Sequence, residues 1–186
     1  MIYHACPLEG AFVIEPEPFE DQRGLFARTF CKKDFRQIGH RKEFVQFNHS
    51  VNRRKGTVRG MHYQLPPHSE IKLVRCIQGS VYDVIVDLRR NSPTFLQHFG
   101  VELSESNLLM LYIPEGFAHG FQTLKDHTAL IYHHTAYYAP KAERGLRYDD
   151  PRLDIHWPLP PVALSKKDQL YPKINFQFNG LSSLSC

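Results

Sequence analysis

Between residues 11 and 137 the chain is cut into short runs rich in β-branched and aromatic residues, each closed off by Gly, Pro, Asn or Asp. Nine such runs stand out, over residues 11–16, 44–50, 57–64, 71–78, 81–88, 95–103, 108–113, 118–124 and 128–137. Turn residues at this spacing predict an all-β domain. Many short strands must bury their inner faces and hide their edges, so the expected architecture is an antiparallel jelly roll or barrel with a few short helices. Only residues 32–38 carry a helical pattern. The Gln78-Gly79-Ser80 step reads as a hairpin turn between neighbouring strands.

A length of 186 residues suits one compact domain with a substantial core. We assign residues 1–174 to that domain and residues 175–186 to a C-terminal extension. The run Trp157-Pro158-Leu159-Pro160-Pro161 interrupts regular structure, and the tail from Asn175 loses charge and pattern. The net charge of +4 comes from 23 basic and 19 acidic residues with the signs intermixed. That balance suits a small anionic ligand better than a nucleic acid, whose binders cluster their Lys and Arg. Cys6, Cys31, Cys76 and Cys186 are widely spaced, which implies neither a zinc site nor a disulfide framework and fits a reducing compartment. With no basic-then-apolar start and no bilayer-length apolar run, the expectation is a cytoplasmic protein without a membrane partner.

Strict alternation over residues 71–77 puts Lys72, Val74 and Cys76 on one face and Leu73, Arg75 and Ile77 on the other. Leu130, Tyr132 and His134 share a face in the same way. If those faces line the barrel, a lysine and a tyrosine point into the lumen, where a lone charge is costly unless a ligand or a partner meets it.

Arg59-Gly60-Met61-His62-Tyr63-Gln64 gathers a guanidinium, an imidazole and an amide on one strand, and Gly60 permits a bulge. By itself His62 reads more readily as a hydrogen-bonded interior histidine than as a catalytic one. A second cluster, Pro114-Glu115-Gly116-Phe117-Ala118-His119-Gly120-Phe121, is a tight turn leading into a strand with another histidine. Gly56-x5-His62 together with Pro114-x-Gly116-x2-His119 resembles the two motifs of the cupin barrel over roughly residues 56–123. Cupin metal sites use three histidines and a carboxylate. Here Gln64 stands where a histidine is needed, and Lys72 follows Glu70 on the same alternating face, which opposes a metal held by His62, Glu70 and His119.

From about Gly10 to Leu170 the chain resembles the dTDP-4-dehydrorhamnose 3,5-epimerase family. The resemblance rests on Asp21-Gln22-Arg23-Gly24-Leu25-Phe26, Gln46-Phe47-Asn48-His49-Ser50, Val58-Arg59-Gly60-Met61-His62-Tyr63-Gln64 and Lys72-Leu73-Val74-Arg75. It continues through Ser80-Val81-Tyr82-Asp83-Val84, Val86-Asp87-Leu88-Arg89, residues 113–121, Tyr137-Tyr138-Ala139-Pro140 and Leu164-Ser165-Lys166-Lys167-Asp168. It implies an isomerase that inverts carbons 3 and 5 of a dTDP-linked 4-keto sugar without metal or cofactor. By the same resemblance His62 is the base, Asp168 orients it, Lys72 stabilises the enolate oxygen and Tyr132 returns a proton from the opposite face. Lys72 in an interior ion pair and Tyr132 in barrel packing stay open as structural alternatives. The resemblance makes Arg23 and Arg59 diphosphate contacts, Gln46, Asn48 and Glu143 polar binding contacts, and Tyr138 a stacking surface for the base. It adds Phe26 to the binding set, leaves His119 as a contact in the lumen, and implies a homodimer. Ala136 and His133-His134 stand where the family more often has an Asp and a Lys-Cys-like pair, and Met61 replaces a common Leu. Ala136 leaves the base of the nucleotide open. A single-carbon epimerase, a metal-dependent cupin oxygenase and a binding module on the same barrel are the competing readings.

Overall fold

The structure, a computed structural model, describes residues 1–182; residues 183–186, including Cys186 and the end of the expected extension, lie outside the described part. The strands are β1 (Ile2–Ala5), β2 (Phe12–Glu15), β3 (Phe19–Asp21), β4 (Gly24–Phe26), β5 (Gln46–Asn52), β6 (Val58–Gln64) and β7 (Lys72–Gln78). They continue as β8 (Ser80–Asp87), β9 (His98–Ser104), β10 (Met110–Ile113), β11 (Phe117–Thr123), β12 (Thr128–His134) and β13 (Glu143–Gly145). Two short helices, α1 (Lys32–Phe35) and α2 (Lys166–Leu170), complete the chain, with a 3-10 turn at Arg36–Ile38 extending the first. All nine expected strands are present to within a few residues at their ends.

The strands form two antiparallel sheets, one in the order β1-β2-β10-β7-β12-β5 and the other β13-β6-β11-β8-β9, beside a small β3-β4 hairpin. Val74, Cys76, Leu111, Ile113 and Leu130 of the first sheet meet Val81, Ile85, Leu103, Phe117 and Phe121 of the second in a common core. Each such side chain, taken fully out of water, contributes about 2 kcal/mol before entropy is counted. The outer face of the first sheet is also covered, Leu73, Ile14, Met110 and Tyr112 packing with Phe35 of α1. The outer face of the second lies under the C-terminal chain, with Met61, Val84, Val86 and Ala118 against Leu146, Leu153 and Ile174. Covering on both faces explains why every residue of β11 is buried and why no alternation of polar and apolar residues is visible there.

Alternation does hold where the outer cover is thinner, and it sends Lys72, Val74 and Cys76 inward as expected. The Gln78-Gly79-Ser80 step is a correction. β7 and β8 lie in different sheets and do not pair, so Gly79, at φ +74°, carries the chain across the sandwich instead of closing a hairpin. Periodicity within each run could not reveal that change of sheet. The strand expected over 128–137 ends at His134 because residues 137–139 are bonded to side chains of other strands. Residues 175–181 return along the end of β8, where Leu181 N–H donates to Leu88 O at 2.6 Å and Arg90 N–H to Leu181 O at 2.8 Å.

β6 and β11 approach unusually closely, with a register shift between His119 and Phe121. A Cβ on Gly60 would stand 2.5 Å from the Gly120 Cα and 2.8 Å from the His119 carbonyl oxygen, and Gly60 has φ +120°. The expected bulge is therefore present, and it sets where His62 and His119 face each other across the strand pair. Gly60→Ala is expected to cost about 3 kcal/mol or more, a drop of roughly 10 °C in Tm by calorimetry. An unchanged Tm would show that the strand pair tolerates a side chain there.

Candidate active site

The two sheets splay apart at one end around a cavity of about 290 Å³. One wall comes from the second sheet, where β6 supplies Arg59, His62 and Gln64 and β11 supplies His119 and Phe121. The facing wall comes from the first sheet, with Gln46, Asn48 and Ser50 from β5, Lys72 from β7, and Tyr132 and His134 from β12. Glu70, just before β7, joins this wall, and Tyr138 and Glu143 stand at the mouth. Gln46, Asn48 and Ser50 alternate along one strand, so a single face of β5 lines the cavity.

His62 is half-buried, and its Nε2 lies 2.7 Å from Oδ1 of buried Asp168. Asp168 reaches it from the first turn of α2, where the Ser165 hydroxyl oxygen accepts the Asp168 N–H at 3.0 Å and caps the helix. Burial pushes the Asp168 carboxyl up, but the His62 hydrogen bond and charge, with the Ser165 side chain and the Gly60 backbone, outweigh it and hold the carboxyl below its ordinary range. With Nε2 engaged by the carboxylate, His62 Nδ1 is left with its lone pair, the arrangement of an oriented base.

Tyr132 faces His62 from the opposite sheet. Its hydroxyl lies 3.1 Å from Ser50 Oγ, and burial pushes its phenol far up, the Ser50 bond opposing only in part. The phenol therefore keeps its proton. Lys72 Nζ lies 3.2 Å from Glu70 Oε1, so the interior ion pair exists, and the same ammonium lines the cavity. Glu70 Oε2 is bonded to His134 Nδ1 at 2.8 Å. Burial raises the Glu70 carboxyl, yet His134 and Lys72 together bring it below its ordinary value.

The residues considered as a metal set do not assemble one. His62 is engaged by Asp168, His119 Nε2 by Asp83 Oδ1 at 2.9 Å, and Glu70 by Lys72 and His134. Gln64 acts as a clamp: its Oε1 accepts the Ala139 N–H at 2.7 Å and its amide donates to the His68 and Tyr137 carbonyls. At the mouth, Tyr138 O–H donates to Glu143 at 2.6 Å and Lys167 pairs with the same carboxylate. Arg59 donates to Asn52 Oδ1 at 2.7 Å.

The cavity thus brings together His62, Lys72, Tyr132, Gln46, Asn48, Arg59, His119, Tyr138 and Glu143, with Asp168 behind His62. Arg23 and Phe26 are not among them. Both sit on the β3-β4 hairpin, where Arg23 pairs with Asp21 and Phe26 is 76% exposed. Ser50, Glu70, His134, Asp83 and Lys167 also belong to the site or its immediate support. Ser50 and His134 could have been found from period two alone, as they continue the faces of Asn48 and Tyr132. Asp83 and Lys167 are defined by partners distant in sequence, and Glu70 by distant His134 as well as by neighbouring Lys72.

A family model described as dTDP-4-dehydrorhamnose 3,5-epimerase matches residues 5–175. A dTDP-4-dehydrorhamnose 3,5-epimerase of Shigella flexneri is 46% identical over 157 residues, covering 84% of this chain and 86% of its own. Among solved structures, the dTDP-6-deoxy-D-glucose-3,5-epimerase of Legionella pneumophila in complex with dTDP-4-keto-L-rhamnose superposes with a TM-score of 0.91 at 38% identity, covering 98% of this chain and 99% of that one. A 3′-monoepimerase from Streptomyces bikiniensis in complex with dTDP-quinovose gives a TM-score of 0.85 at 34% identity, covering 91% of this chain and 86% of that one.

Because the Asp168 and Glu70 carboxyls titrate below their unfolded values, the stability they add is complete above about pH 5 and is lost as acid protonates them below about pH 4. Asp168→Asn removes one of these titrations. It is expected to cost about 1–3 kcal/mol at pH 7 and to lose less than the wild type between pH 7 and about pH 2.5 in urea denaturation. Equal acid losses in the two proteins would show that Asp168 has no such role.

Proposed function

The chain belongs to the dTDP-4-dehydrorhamnose 3,5-epimerase family and is an isomerase, and from that premise we propose how its own residues carry out the reaction. It inverts carbons 3 and 5 of dTDP-4-dehydro-6-deoxy-D-glucose, by removing and returning a proton beside the carbon-4 ketone, to give dTDP-4-dehydro-L-rhamnose. The observation that carries the residue assignment is the His62–Asp168 pair, at 2.7 Å, on the wall opposite Tyr132.

His62 Nδ1 takes the proton from the carbon next to the ketone. The C–H electrons become the carbon–carbon double bond of an enolate, and the carbonyl oxygen takes the negative charge. Lys72 meets that charge in the buried floor, where a fixed cation is worth more than in water. The protonated His62 is stabilised by Asp168. Tyr132, kept protonated by its surroundings, delivers a proton to the other face of the same carbon and so inverts it. This face-to-face demand is why the two groups sit on different sheets.

The nucleotide extends toward the mouth. Arg59 suits the diphosphate, Gln46, Asn48 and Glu143 supply polar contacts, and the exposed Tyr138 ring offers a stacking face for the base. His119, tied to Asp83, borders the sugar. Arg23 and Phe26 enter through a second copy of the chain. Their hairpin carries three exposed apolar side chains, Phe19, Leu25 and Phe26, and the edge strand β5 exposes Phe47 and Val51, which suits a homodimer. Cys6, Cys31 and Cys76 are unpaired, in keeping with a reducing, cytoplasmic setting. The likeness to a 3′-monoepimerase supports a second reading, inversion at one carbon alone.

Incubation with dTDP-4-dehydro-6-deoxy-D-glucose in deuterium oxide, followed by NMR, is expected to show exchange at carbons 3 and 5. Exchange at one carbon would select the second reading, and exchange at neither would refute both. His62→Ala is expected to slow exchange by about 10²–10⁴-fold, whereas Tyr132→Phe should depress product formation more than proton removal. Near-normal exchange in His62→Ala would remove His62 as the base. Mixing inactive Arg23→Ala and His62→Ala proteins is expected to restore up to about a quarter of wild-type activity, since half the dimers then hold one intact site. No recovery after subunit exchange would mean that Arg23 does not act across a dimer.

A further inference from the structure

His134 lies between the charged floor of the cavity and its mouth. In the strand register it stands opposite Lys72 on β7 and Gln46 on β5, so its ring is placed between two functional groups by backbone pairing alone. The hydrogen bonds around it leave no freedom in where its proton sits. A backbone N–H can only donate, and the Tyr138 N–H meets Gln46 Oε1 at 2.9 Å. The Gln46 amide nitrogen must therefore face the other way, where it donates to Asn48 Oδ1 at 3.3 Å. That turns Asn48 Nδ2 toward His134 Nε2, at 3.2 Å. An amide NH₂ can only donate, so Nε2 must be the acceptor and the proton must lie on Nδ1. Nδ1 in turn donates to Glu70 Oε2 at 2.8 Å, and the other Glu70 oxygen receives Lys72 at 3.2 Å.

We propose that His134 is a positioning residue that ties the Glu70–Lys72 pair at the floor of the cavity to the Asn48 and Gln46 carboxamides and Tyr138 at its mouth, through an imidazole held as the neutral Nδ1–H tautomer. The positioning role rests on the function proposed above; the tautomer does not. Every link in the chain has one donor and one acceptor with a set direction, so removing the ring releases both ends. At the floor, Glu70 loses one of two partners and draws Lys72 toward itself, away from the oxygen it would stabilise. At the mouth, Asn48 loses its acceptor and the Gln46 amide its fixed orientation, which frees the backbone that carries Tyr138. The ring also lies nearly parallel to Tyr132, with centroids 6.2 Å apart and planes at 25°, so its packing must be separated from its bonding.

Two substitutions do that. His134→Gln carries one donor and one acceptor and can keep both bonds. His134→Phe keeps an aromatic ring against Tyr132 and can keep neither. His134→Phe is expected to weaken dTDP binding by about tenfold in calorimetry and to slow kcat by about tenfold, while His134→Gln stays within about threefold of wild type on both counts. If His134→Phe stayed within twofold, or His134→Gln were as impaired as His134→Phe, the bridge would play no such part. The tautomer is read directly on the wild-type protein. Long-range ¹⁵N–¹H spectra at neutral pH, with the His134 signals identified by their loss in His134→Gln, are expected to show Nδ1 protonated and Nε2 not. A proton on Nε2, or on both nitrogens, would overturn the proposal. A wild-type protein that turned over no keto-sugar would refute the proposed function while leaving the tautomer and dTDP measurements to stand or fall separately.

Discussion

Two sheets that bury both faces make a charged group without a partner costly, and the cavity is organised by that constraint. A buried charge without compensation costs more than most single contacts can offset. The three histidines and the lysine that line the cavity from β6, β7, β11 and β12 are accordingly matched by carboxylates: His62 by Asp168, Lys72 by Glu70, His119 by Asp83 and His134 by Glu70. The partners come from elsewhere in the chain, mostly from neighbouring strands and connecting segments. The cavity is therefore a set of prepared acid–base pairs.

This pairing also decides how far the sequence could be read. Strand positions were legible because period two needs only local information. Alternation grouped Lys72 with Val74 and Cys76, and Tyr132 with Leu130 and His134, and Lys72, Tyr132 and His134 all line the cavity. The β-architecture followed from the spacing of the turns. What local pattern could not show was anything that depends on the path between elements. Gly79 looked like a hairpin turn because the residues of a hairpin and of a crossing between sheets are the same. Asp168 sits 106 positions from His62, on a five-residue helix whose capping serine carries no signal stronger than many other serines. Only the likeness to a family singled it out.

Arg23 and Phe26 show the converse case, in which resemblance names residues that a single chain does not bring to its own cavity. The hairpin that holds them exposes Phe19, Leu25 and Phe26, a poor state for a lone monomer in water. A symmetric pairing that covers this surface would remove the conflict and deliver the arginine to a second cavity at once. In the proposed homodimer the partner surface belongs to another copy, which is information that local sequence cannot carry.

The cavity holds three histidines, each with a carboxylate partner, and it is access that favours His62 as the proposed base. The His119 side chain is 6% exposed and that of Asp83 is fully buried, so this pair is closed on itself and suits a rigid part of the wall. His134 is 10% exposed and both its nitrogens are occupied, one giving a proton and the other accepting one. The His62 side chain is 33% exposed while its carboxylate partner is 4% exposed, an uneven pair with the anion hidden and the imidazole open to the cavity. A general base needs an orienting group shielded from water and a free nitrogen that substrate can reach. Of the three, His62 alone combines them, and Tyr132 stands on the far wall, where the proposed mechanism calls for a proton donor.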